Sequence, residues 1–360
     1  SGTARRDSHQ QGKPMIIDGH TIDSNHPPYV IAEISGNHGG DLGLALEIMT
    51  AAKEVGADAI KLQTYTADSL TIDHDGPGFV VDLPLWKNRK LYEIYQEAHT
   101  PWEWHEALFA KGRELGITVF SSPFDDAAIE LLESLGAPAY KIASFENVDT
   151  NLIAMAAATS KPLVISTGMA NLAEITDAVD AARANGCKDL ALLHCVSAYP
   201  APFQEAHLAN MAELARRFDV PVGLSDHTLG IALPVAATAL GAQLIEKHVT
   251  LRRSDGAIDS AFSLEPDELA TMIAQIKDVH QAVGTVAFGP KPSEVGSVTY
   301  RRSLYAVADI AAGEPLTPDN VRSIRPGLGL PPKHLGEIIN RRAARDIRRG
   351  DPLQWDMIGD

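Results

Sequence analysis

The sequence predicts an α/β protein, a (β/α)8 TIM barrel followed by a small α+β domain. Eight short runs rich in Val, Ile and Leu recur between residues 29 and 249, and most intervals between them hold a helix-like segment. Eight strands that alternate with helices are typical of a closed parallel barrel. The chain has 360 residues, which is enough for a barrel and a second, smaller domain.

The predicted strands are short and apolar on both faces, as strands are in a parallel sheet covered by helices. They cover residues 29–35, 59–64, 117–122, 139–144, 163–168, 190–195, 222–227 and 244–249. Helical patterns are found in residues 41–56, 100–116, 125–136, 171–186, 207–218 and 231–241. Several of these helices end on glycine, which favours a left-handed C-cap.

Four segments are predicted along the chain. Residues 1–14 are interpreted as a tail or an expression remnant, because they precede Met15 and lack the apolar run of a signal peptide. The barrel domain is expected over 15–283, a linker rich in glycine and proline over 284–297, and the small domain over 298–360. Within the barrel, the insertion at 65–99 is too long for an ordinary loop and lies where barrel enzymes bind substrates.

Composition argues against several classes of function. The net charge of −16 disfavours a general nucleic-acid surface, and no run approaches the roughly 20 apolar residues that span a membrane. Cys187 and Cys195 are the only cysteines, so we expect no disulfide framework and a cytoplasmic protein. Cys195 is interpreted as a buried thiol rather than a nucleophile, because the sequence identifies no activating partner. From Lys291 onward the chain carries 11 basic and 9 acidic residues, against 20 and 38 before it, which indicates a separate C-terminal module.

Polar side chains cluster at the carboxyl end of every predicted strand. In a parallel barrel these ends form one rim, and the rim is where this fold holds its active site. We therefore expect them to face a shared pocket. The candidates are Glu33, Lys61, Gln63, Ser121, Ser122, Lys141, Ser144, Glu146, Ser166, Thr167, His194, Cys195, Ser225, Asp226, His227, Glu246, Lys247 and His248.

Two histidines end the adjacent seventh and eighth strands. The neutral imidazoles of His227 and His248 could together bind one divalent cation, such as Mn²⁺. A carboxylate and water would complete its coordination shell. The alternative is a hydrogen-bonded core role for each histidine. That alternative is favoured for a single histidine, whereas the pair at neighbouring strand ends favours a metal.

Two lysines, Lys61 and Lys141, follow apolar residues near strand ends. A buried ammonium needs an anionic partner, from the protein or from a ligand. With the nearby serine hydroxyls, the two lysines suit a small ligand that carries both a phosphate and a carboxylate. Salt bridges to Glu33, Glu146 or Glu246 are the alternative, and the pattern alone does not choose between them.

Eight motifs, in order, resemble those of the sialic acid synthase family. They are IAEISGNHGG (31–40), GADAIKLQTY (56–65), SSPFD (121–125), AYKIASFE (139–146), ISTGMA (165–170), HCVSAYPAP (194–202), GLSDHT (223–228) and EKHVTL (246–251). The stretch DIAAGEPLTPDNVRSIRPGLG (309–329) resembles the antifreeze-like (SAF) domain of the same family. The likeness extends from residue 16 to residue 358, and the chain is most similar to the branch that makes pseudaminic acid.

The resemblance implies condensation of phosphoenolpyruvate with an amino-sugar aldehyde and water, with cleavage of the C–O bond and release of phosphate. The acceptor of this branch is 2,4-diacetamido-2,4,6-trideoxy-L-altrose. A legionaminate or N-acetylneuraminate synthase with the same chemistry is one alternative, and a non-catalytic sugar-binding protein is another. Ser197 stands where neuraminate synthases carry asparagine, which counts against neuraminate.

The same resemblance implies roles for single residues. His227 and His248 are expected to hold the metal, most often Mn²⁺, with Mg²⁺ or Co²⁺ as alternatives. The expected contacts with phosphoenolpyruvate are Lys61, Ser122, Lys141, Ser144 and Ser225. The expected contacts with the acceptor are Glu33, Gln63, Glu146, Tyr199 and Asp259.

Two further roles are expected, one for Glu33 from the chemistry of the reaction and one for Arg325 from the resemblance. Glu33 is the first candidate for proton transfer, and Glu246 or a bound water is the alternative. Arg325 matches an arginine that the C-terminal domain of one subunit sends into the site of its partner, in a domain-swapped homodimer. Taken as a residue alone, Arg325 would be interpreted as a surface arginine of a basic tail.

Overall fold

The structure is a computed structural model that describes residues 13–82 and 86–360. The chain divides into two compact units, with the boundary between Thr285 and Val286. The first unit contains ten strands and the second contains two, among the described residues. In the part of the chain that is described, no helix combines the length and the apolar character needed to cross a membrane.

The first unit is a closed barrel of eight parallel strands, as the sequence predicts. Its order around the barrel follows the chain from β3 to β10, and β10 pairs back onto β3. A two-stranded antiparallel hairpin, β1 with β2, precedes the barrel. The strand bounds are β1 Met15–Ile17, β2 His20–Ile22, β3 Tyr29–Glu33, β4 Ala59–Thr64, β5 Thr118–Pro123, β6 Tyr140–Ile142, β7 Leu163–Ser166, β8 Leu190–Cys195, β9 Val222–Asp226 and β10 Leu244–His248.

Helices connect the strands, and four of those in the described residues lie outside the helical segments predicted above. The bounds are α1 Leu42–Glu54, α2 Ala67–Leu70, α3 Leu91–Ala98, α4 His105–Leu115, α5 Asp126–Ser134, α6 Thr150–Ala158, α7 Leu172–Ala184, α8 Asn210–Phe218, α9 Ala232–Ala239 and α10 Pro266–Val283. Helix α6 is apolar almost throughout, so it has little of the polar stripe that marks a surface helix. Its start is nevertheless signalled by Asp149, whose carboxylate accepts a hydrogen bond from the backbone N–H of Leu152. Helix α10 begins with a proline at its first position, a common start signal.

Side chains alternate between the inside and the outside of the barrel along each strand. In β10, Leu244 lies in the apolar interior and Glu246 and His248 line a cavity, whereas Ile245 packs against the surrounding helices. The apolar residues below the cavity form one cluster that includes Ile31, Phe120, Val164 and Leu193. Met15, Ile17 and Ile22 of the β1–β2 hairpin belong to the same cluster, so the hairpin closes the amino-terminal end of the barrel.

The second unit has an apolar core of its own. Strands β11 (Ser303–Ala306) and β12 (Val321–Ile324) pair antiparallel, and a short helix, α11 (Leu335–Ile338), follows. Leu304, Leu316 and Leu353 are fully buried within this unit. The segment predicted as a linker, 284–297, includes the beginning of a 3-10 helix, Pro292–Tyr300.

Candidate active site

A cavity of about 310 Å³ opens at the carboxyl end of the barrel strands. Its lining comes from the ends of β4, β6, β7, β8, β9 and β10, from the loops that follow them, and from the insertion after β4. Ten of the predicted site residues line it. They are Lys61, Gln63, Lys141, Ser144, Glu146, Tyr199, Ser225, His227, His248 and Asp259.

Three predicted residues lie elsewhere. Glu33 and Ser122 are fully buried and sit behind the cavity wall, where each contacts the ammonium of Lys61. Arg325 lies in the second unit, directly after β12. Some polar residues that line the cavity were outside the predicted binding set, although three of them belong to the predicted rim. Those of the rim are Ser166, Cys195 and Glu246, and the others include Ser35 and Ser197.

The prediction that every polar strand end faces the pocket is wrong for the outward-facing residues. Lys247 and Asp226 follow the inward Glu246 and Ser225, and alternation turns them away from the barrel axis. Their Nζ and Oδ2 atoms form a fully buried ion pair of 2.6 Å. His194 likewise contacts the carbonyl oxygen of Ala206 through Nε2 at 2.6 Å, in the helix layer. These side chains therefore stabilise the barrel from its outward face and do not line the cavity.

The two predicted metal ligands lie next to each other in the lining of the cavity. The ring centroids of His227 and His248 are 5.3 Å apart, and both rings pack against Phe262. Nδ1 of His227 lies 2.9 Å from the carbonyl oxygen of Val196; since a carbonyl only accepts, this nitrogen carries the hydrogen and Nε2 is left for a ligand. Nδ1 of His248 is buried and lacks a hydrogen-bond partner among the described residues.

The surroundings of the two rings differ in charge. Burial, together with His227, lowers the pKa of His248 well below its usual value, which keeps it neutral and able to bind a cation. Burial would also lower the pKa of His227, but Cys195 raises it. Within the described residues, no group of three or more His, Cys, Asp or Glu side chains is placed to hold a metal ion by itself. The carboxylate oxygen Oδ2 of Asp259 lies 3.9 Å from Nδ1 of His248.

Cys195 has a neighbour that sequence reasoning did not identify. Its Sγ lies 3.8 Å from Nδ1 of His227 and 3.8 Å from Oγ of Ser197. Burial would raise the pKa of this thiol, but His227 lowers it to about 7. The expectation of a buried thiol agrees with its 4% exposure.

The two lysines share one buried cluster with two carboxylates. Nζ of Lys61 lies 2.7 Å from Oε2 of Glu33 and 3.5 Å from Oε1 of Glu246. Nζ of Lys141 lies 3.9 Å from Oε2 of Glu246, and Oγ of Ser225 donates to Glu246 at 3.2 Å. The salt-bridge alternative therefore holds for Glu33 and Glu246. The four charges of this cluster sum to zero.

The two carboxylates of the cluster differ in proton affinity. Burial raises the pKa of Glu33, and the Lys61 ammonium offsets only part of that effect. Burial would raise the pKa of Glu246 as well, but Lys141 and Lys61 together lower it. Two carboxylates whose pKa values are pushed apart are a common basis for acid and base roles. Glu33 is the one more ready to hold a proton.

A third carboxylate, that of Glu146, lines the cavity from the 3-10 helix that follows β6. Burial raises its pKa to about 7. Its Oε2 is buried and makes no hydrogen bond within the described part of the chain. This oxygen is therefore available to a ligand.

One side of the cavity is apolar, and the sequence pattern does not predict this surface. Tyr65, Ile94 and Tyr95 of the insertion line this side, together with Phe124 and Ile258. The rings of Tyr65 and Phe124 meet edge to face at 5.2 Å. Their spacing along the chain carries no period that would predict a common surface. The insertion was predicted to contact substrate, and Tyr65, Ile94 and Tyr95 are among the residues through which it lines the cavity.

The chain matches two family models. The NeuB family model matches residues 48–287, and the SAF domain model matches residues 301–359. A pseudaminic acid synthase of Helicobacter pylori is 45% identical over 334 residues, which is 92% of this chain and 98% of that protein. An N,N'-diacetyllegionaminic acid synthase of Legionella pneumophila is 36% identical, over 92% of this chain and 94% of its own. The crystal structure of an N-acetylneuraminic acid synthetase of Leptospira borgpetersenii in complex with citrate aligns with a TM-score of 0.72 at 30% identity, over 81% of this chain and 96% of its own.

Proposed function

Because this chain belongs to the NeuB family, we propose that it condenses phosphoenolpyruvate with 2,4-diacetamido-2,4,6-trideoxy-L-altrose and water, giving pseudaminic acid and phosphate. The observation that carries the proposal is one cavity at the barrel mouth that is lined by two buried lysines and two adjacent histidines. The preference for pseudaminate over legionaminate is supported by identities of 45% and 36% to the respective relatives.

The histidine pair suits a divalent cation. The unpartnered Nδ1 of His248 and the ring separation of 5.3 Å are consistent with a cation held by His227 and His248. Mn²⁺ is our first choice, with Mg²⁺ or Co²⁺ as alternatives. A cation bound there would polarise the carbonyl oxygen of the acceptor aldehyde as a Lewis acid. Mn²⁺ should raise the Tm of the wild-type chain and leave that of H248Q unchanged.

The buried lysines are the proposed phosphoenolpyruvate site. Lys61 and Lys141 supply two ammonium groups, and Ser122, Ser144 and Ser225 supply hydroxyl donors to phosphate and carboxylate oxygens. Attack by the methylene carbon of phosphoenolpyruvate on the aldehyde forms the new C–C bond. Water then adds to the neighbouring carbon, and the C–O bond to phosphate breaks. Fixed ammonium groups stabilise the charge that leaves with the phosphate.

Glu33 is the proposed proton-transfer residue. Two residues that line the cavity contact it: Nε2 of Gln63 donates to Oε1 of Glu33 at 3.0 Å, and Lys61 forms an ion pair with it. Glu246 lines the cavity directly but is the weaker base, because the lysines lower its pKa. E33Q should therefore lower kcat with a smaller effect on the KM of either substrate. If E246Q lowered kcat and E33Q did not, the result would favour Glu246 as the proton-transfer residue.

The remaining wall is the proposed acceptor site. Gln63, Glu146, Tyr199 and Asp259 offer polar contacts to hydroxyl and acetamide groups. The apolar side with Tyr65, Ile94, Tyr95, Phe124 and Ile258 fits an acceptor that carries a methyl group instead of a terminal hydroxymethyl group. This supports a 6-deoxy sugar as the substrate.

We also propose a domain-swapped homodimer, in which Arg325 of one chain completes the site of the other. Apolar side chains are exposed on four consecutive loops at the barrel mouth: Phe145, Met169, Phe203 and Leu229. Exposed apolar groups of this kind are common at protein interfaces. Mixing R325A chains with K141M chains tests the swap, because only a mixed dimer rebuilds an intact site. After random exchange of subunits, about half of the dimers are mixed, and each mixed dimer has one intact site out of two. About a quarter of the wild-type activity should therefore return, whereas an unswapped arrangement should restore none.

Phosphate release from phosphoenolpyruvate tests the reaction as a whole. With Mn²⁺ and the altrose acceptor we expect release in equal amounts with the new sugar acid, and little with the acceptors for legionaminate or neuraminate. ¹⁸O in the bridging oxygen of phosphoenolpyruvate should appear in phosphate, since the C–O bond breaks. Absence of sugar-dependent release with every acceptor would favour a sugar-binding protein without catalysis.

A further inference from the structure

Ser35 follows β3 in a backbone conformation that serine seldom adopts. Its φ is +48°, in the left-handed region that favours glycine. The side chain is 5% exposed and lines the cavity. A non-glycine residue kept in such a conformation at a site is evidence that its side chain is needed there.

The Ser35 hydroxyl donates a hydrogen bond to a buried carboxylate. Its Oγ lies 2.5 Å from Oδ2 of Asp259, which is 8% exposed and also lines the cavity. Asp259 belongs to the loop after β10, far away in sequence. Hydrogen bonds to ionised groups are stronger than those between neutral groups.

The next residues of the same turn bind the same loop. Gly36 packs so closely that an added Cβ would lie 2.4 Å from Cγ2 of Ile258. Nδ2 of Asn37 donates to Oγ of Ser263 at 2.8 Å, and that hydroxyl donates to the carbonyl oxygen of Asp259 at 2.7 Å. Asp259 is thus fixed at both its main chain and its side chain.

We propose that Ser35 is a positioning residue that fixes the Asp259 carboxylate for recognition of the acceptor sugar. This inference rests on the proposed function, in which Asp259 contacts the acceptor. Ser35 binds Oδ2 of Asp259, and the backbone N–H of Gly36 also supports this carboxylate. The phosphoenolpyruvate half of the site, around Lys61 and Lys141, does not depend on this hydrogen bond.

Two variants separate the hydroxyl from the backbone. S35A removes the hydroxyl and keeps the unfavourable φ, whereas S35G removes the hydroxyl and also relieves the backbone. Both should lower kcat/KM for the acceptor about 10- to 100-fold, the range for a lost hydrogen bond to a charged group. KM for phosphoenolpyruvate should stay within about twofold. S35G should have a Tm about 2 °C or more above that of S35A.

Ser160 provides a matched control. It has a φ of +60°, is exposed and lies in the loop after α6. S160G should raise the Tm in the same way and leave both kinetic constants unchanged. In a D259N background, S35A should have no further effect on the acceptor, because the two residues act together.

Three outcomes would count against the inference. Wild-type acceptor kinetics in S35A and S35G would overturn it while leaving the proposed function intact. Equal rises in both KM values would indicate general damage and overturn it as well. A wild-type chain that is inactive with every acceptor would overturn the proposed function and this inference with it.

Discussion

Replacing Lys61 with methionine should strongly destabilise the barrel. The substitution keeps most of the length and the apolar stem of the side chain and removes one charge from the buried cluster. At 2.7 Å from Glu33, the attraction between unit charges is about 6 kcal/mol at an effective dielectric constant of about 20. Desolvation offsets part of this, and removal of one partner from a buried pair typically costs about 3–5 kcal/mol. We expect K61M to lower the free energy of unfolding by about 4 kcal/mol.

Urea unfolding of K61M and of the double variant E33Q/K61M tests this value. The single variant leaves Glu33 and Glu246 with only Lys141, a net charge of −1, whereas the double variant restores neutrality. The double variant should therefore recover at least half of the loss. Without its ammonium partner, Glu33 has an even higher pKa in the folded chain than the already raised wild-type value. The folded state then takes up a proton before the unfolded state does, so the deficit of K61M should shrink as the pH falls from about 8 to about 5.

Lys247 is the control, because it forms an equally buried pair on the outward face. Its Nζ lies 2.6 Å from Oδ2 of Asp226, and both side chains are at most 1% exposed. K247M should lose a similar amount of stability but keep its affinity for phosphoenolpyruvate, which K61M should lose. A loss below about 1 kcal/mol in K61M, or a double variant no more stable than the single one, would refute the reasoning.

Three further predictions concern other parts of the barrel. The pKa of Glu146 is raised from 4.5 to about 7 by burial. The stability that this group contributes is therefore present below about pH 4.5 and lost as the pH rises through 7. E146Q should make the free energy of unfolding in urea less dependent on pH between pH 5 and pH 8. G223A should lower the free energy of unfolding by about 3 kcal/mol or more, because the new Cβ would lie 2.2 Å from the carbonyl oxygen of Leu244; G336A, where nothing lies within 4 Å, should not be destabilising. Phosphoenolpyruvate binding at pH 8 should take up protons in wild type but not in E33Q, measured by calorimetry in buffers of different ionisation enthalpy.

The architecture could be predicted because buried parallel strands need apolar residues on both faces. That requirement leaves short runs of Val, Ile and Leu in the sequence, and all eight predicted runs contain a strand. Three-residue β6 is the shortest of the eight, since the chain turns into a 3-10 helix at Ser144–Glu146. The hairpin β1–β2 was not predicted, because its three-residue strands are shorter than a pattern of alternation needs.

The site could be predicted only in part. Side chains alternate between the two faces of a strand. This alternation alone predicts that Glu246 and His248 face the opposite side from Lys247. Partners that lie far apart in the chain carry no such local signal. The pair of Ser35 with Asp259 joins residues 224 positions apart, and the apolar wall joins a helix of the insertion to two separate loops.

From the charge balance of the buried cluster, we expect binding of the proposed phosphoenolpyruvate ligand to be coupled to uptake of a proton. Buried ammonium groups would lose their charge without carboxylates nearby, so Glu33 and Glu246 are needed to keep Lys61 and Lys141 cationic. The same carboxylates repel a ligand that carries a phosphate and a carboxylate. A proton on one of them removes that conflict, and Glu33, whose pKa burial already raises, accepts it most readily. With that proton bound, the cluster would have a net charge of +1 toward the anion, and we expect the proton to be released again when phosphate leaves.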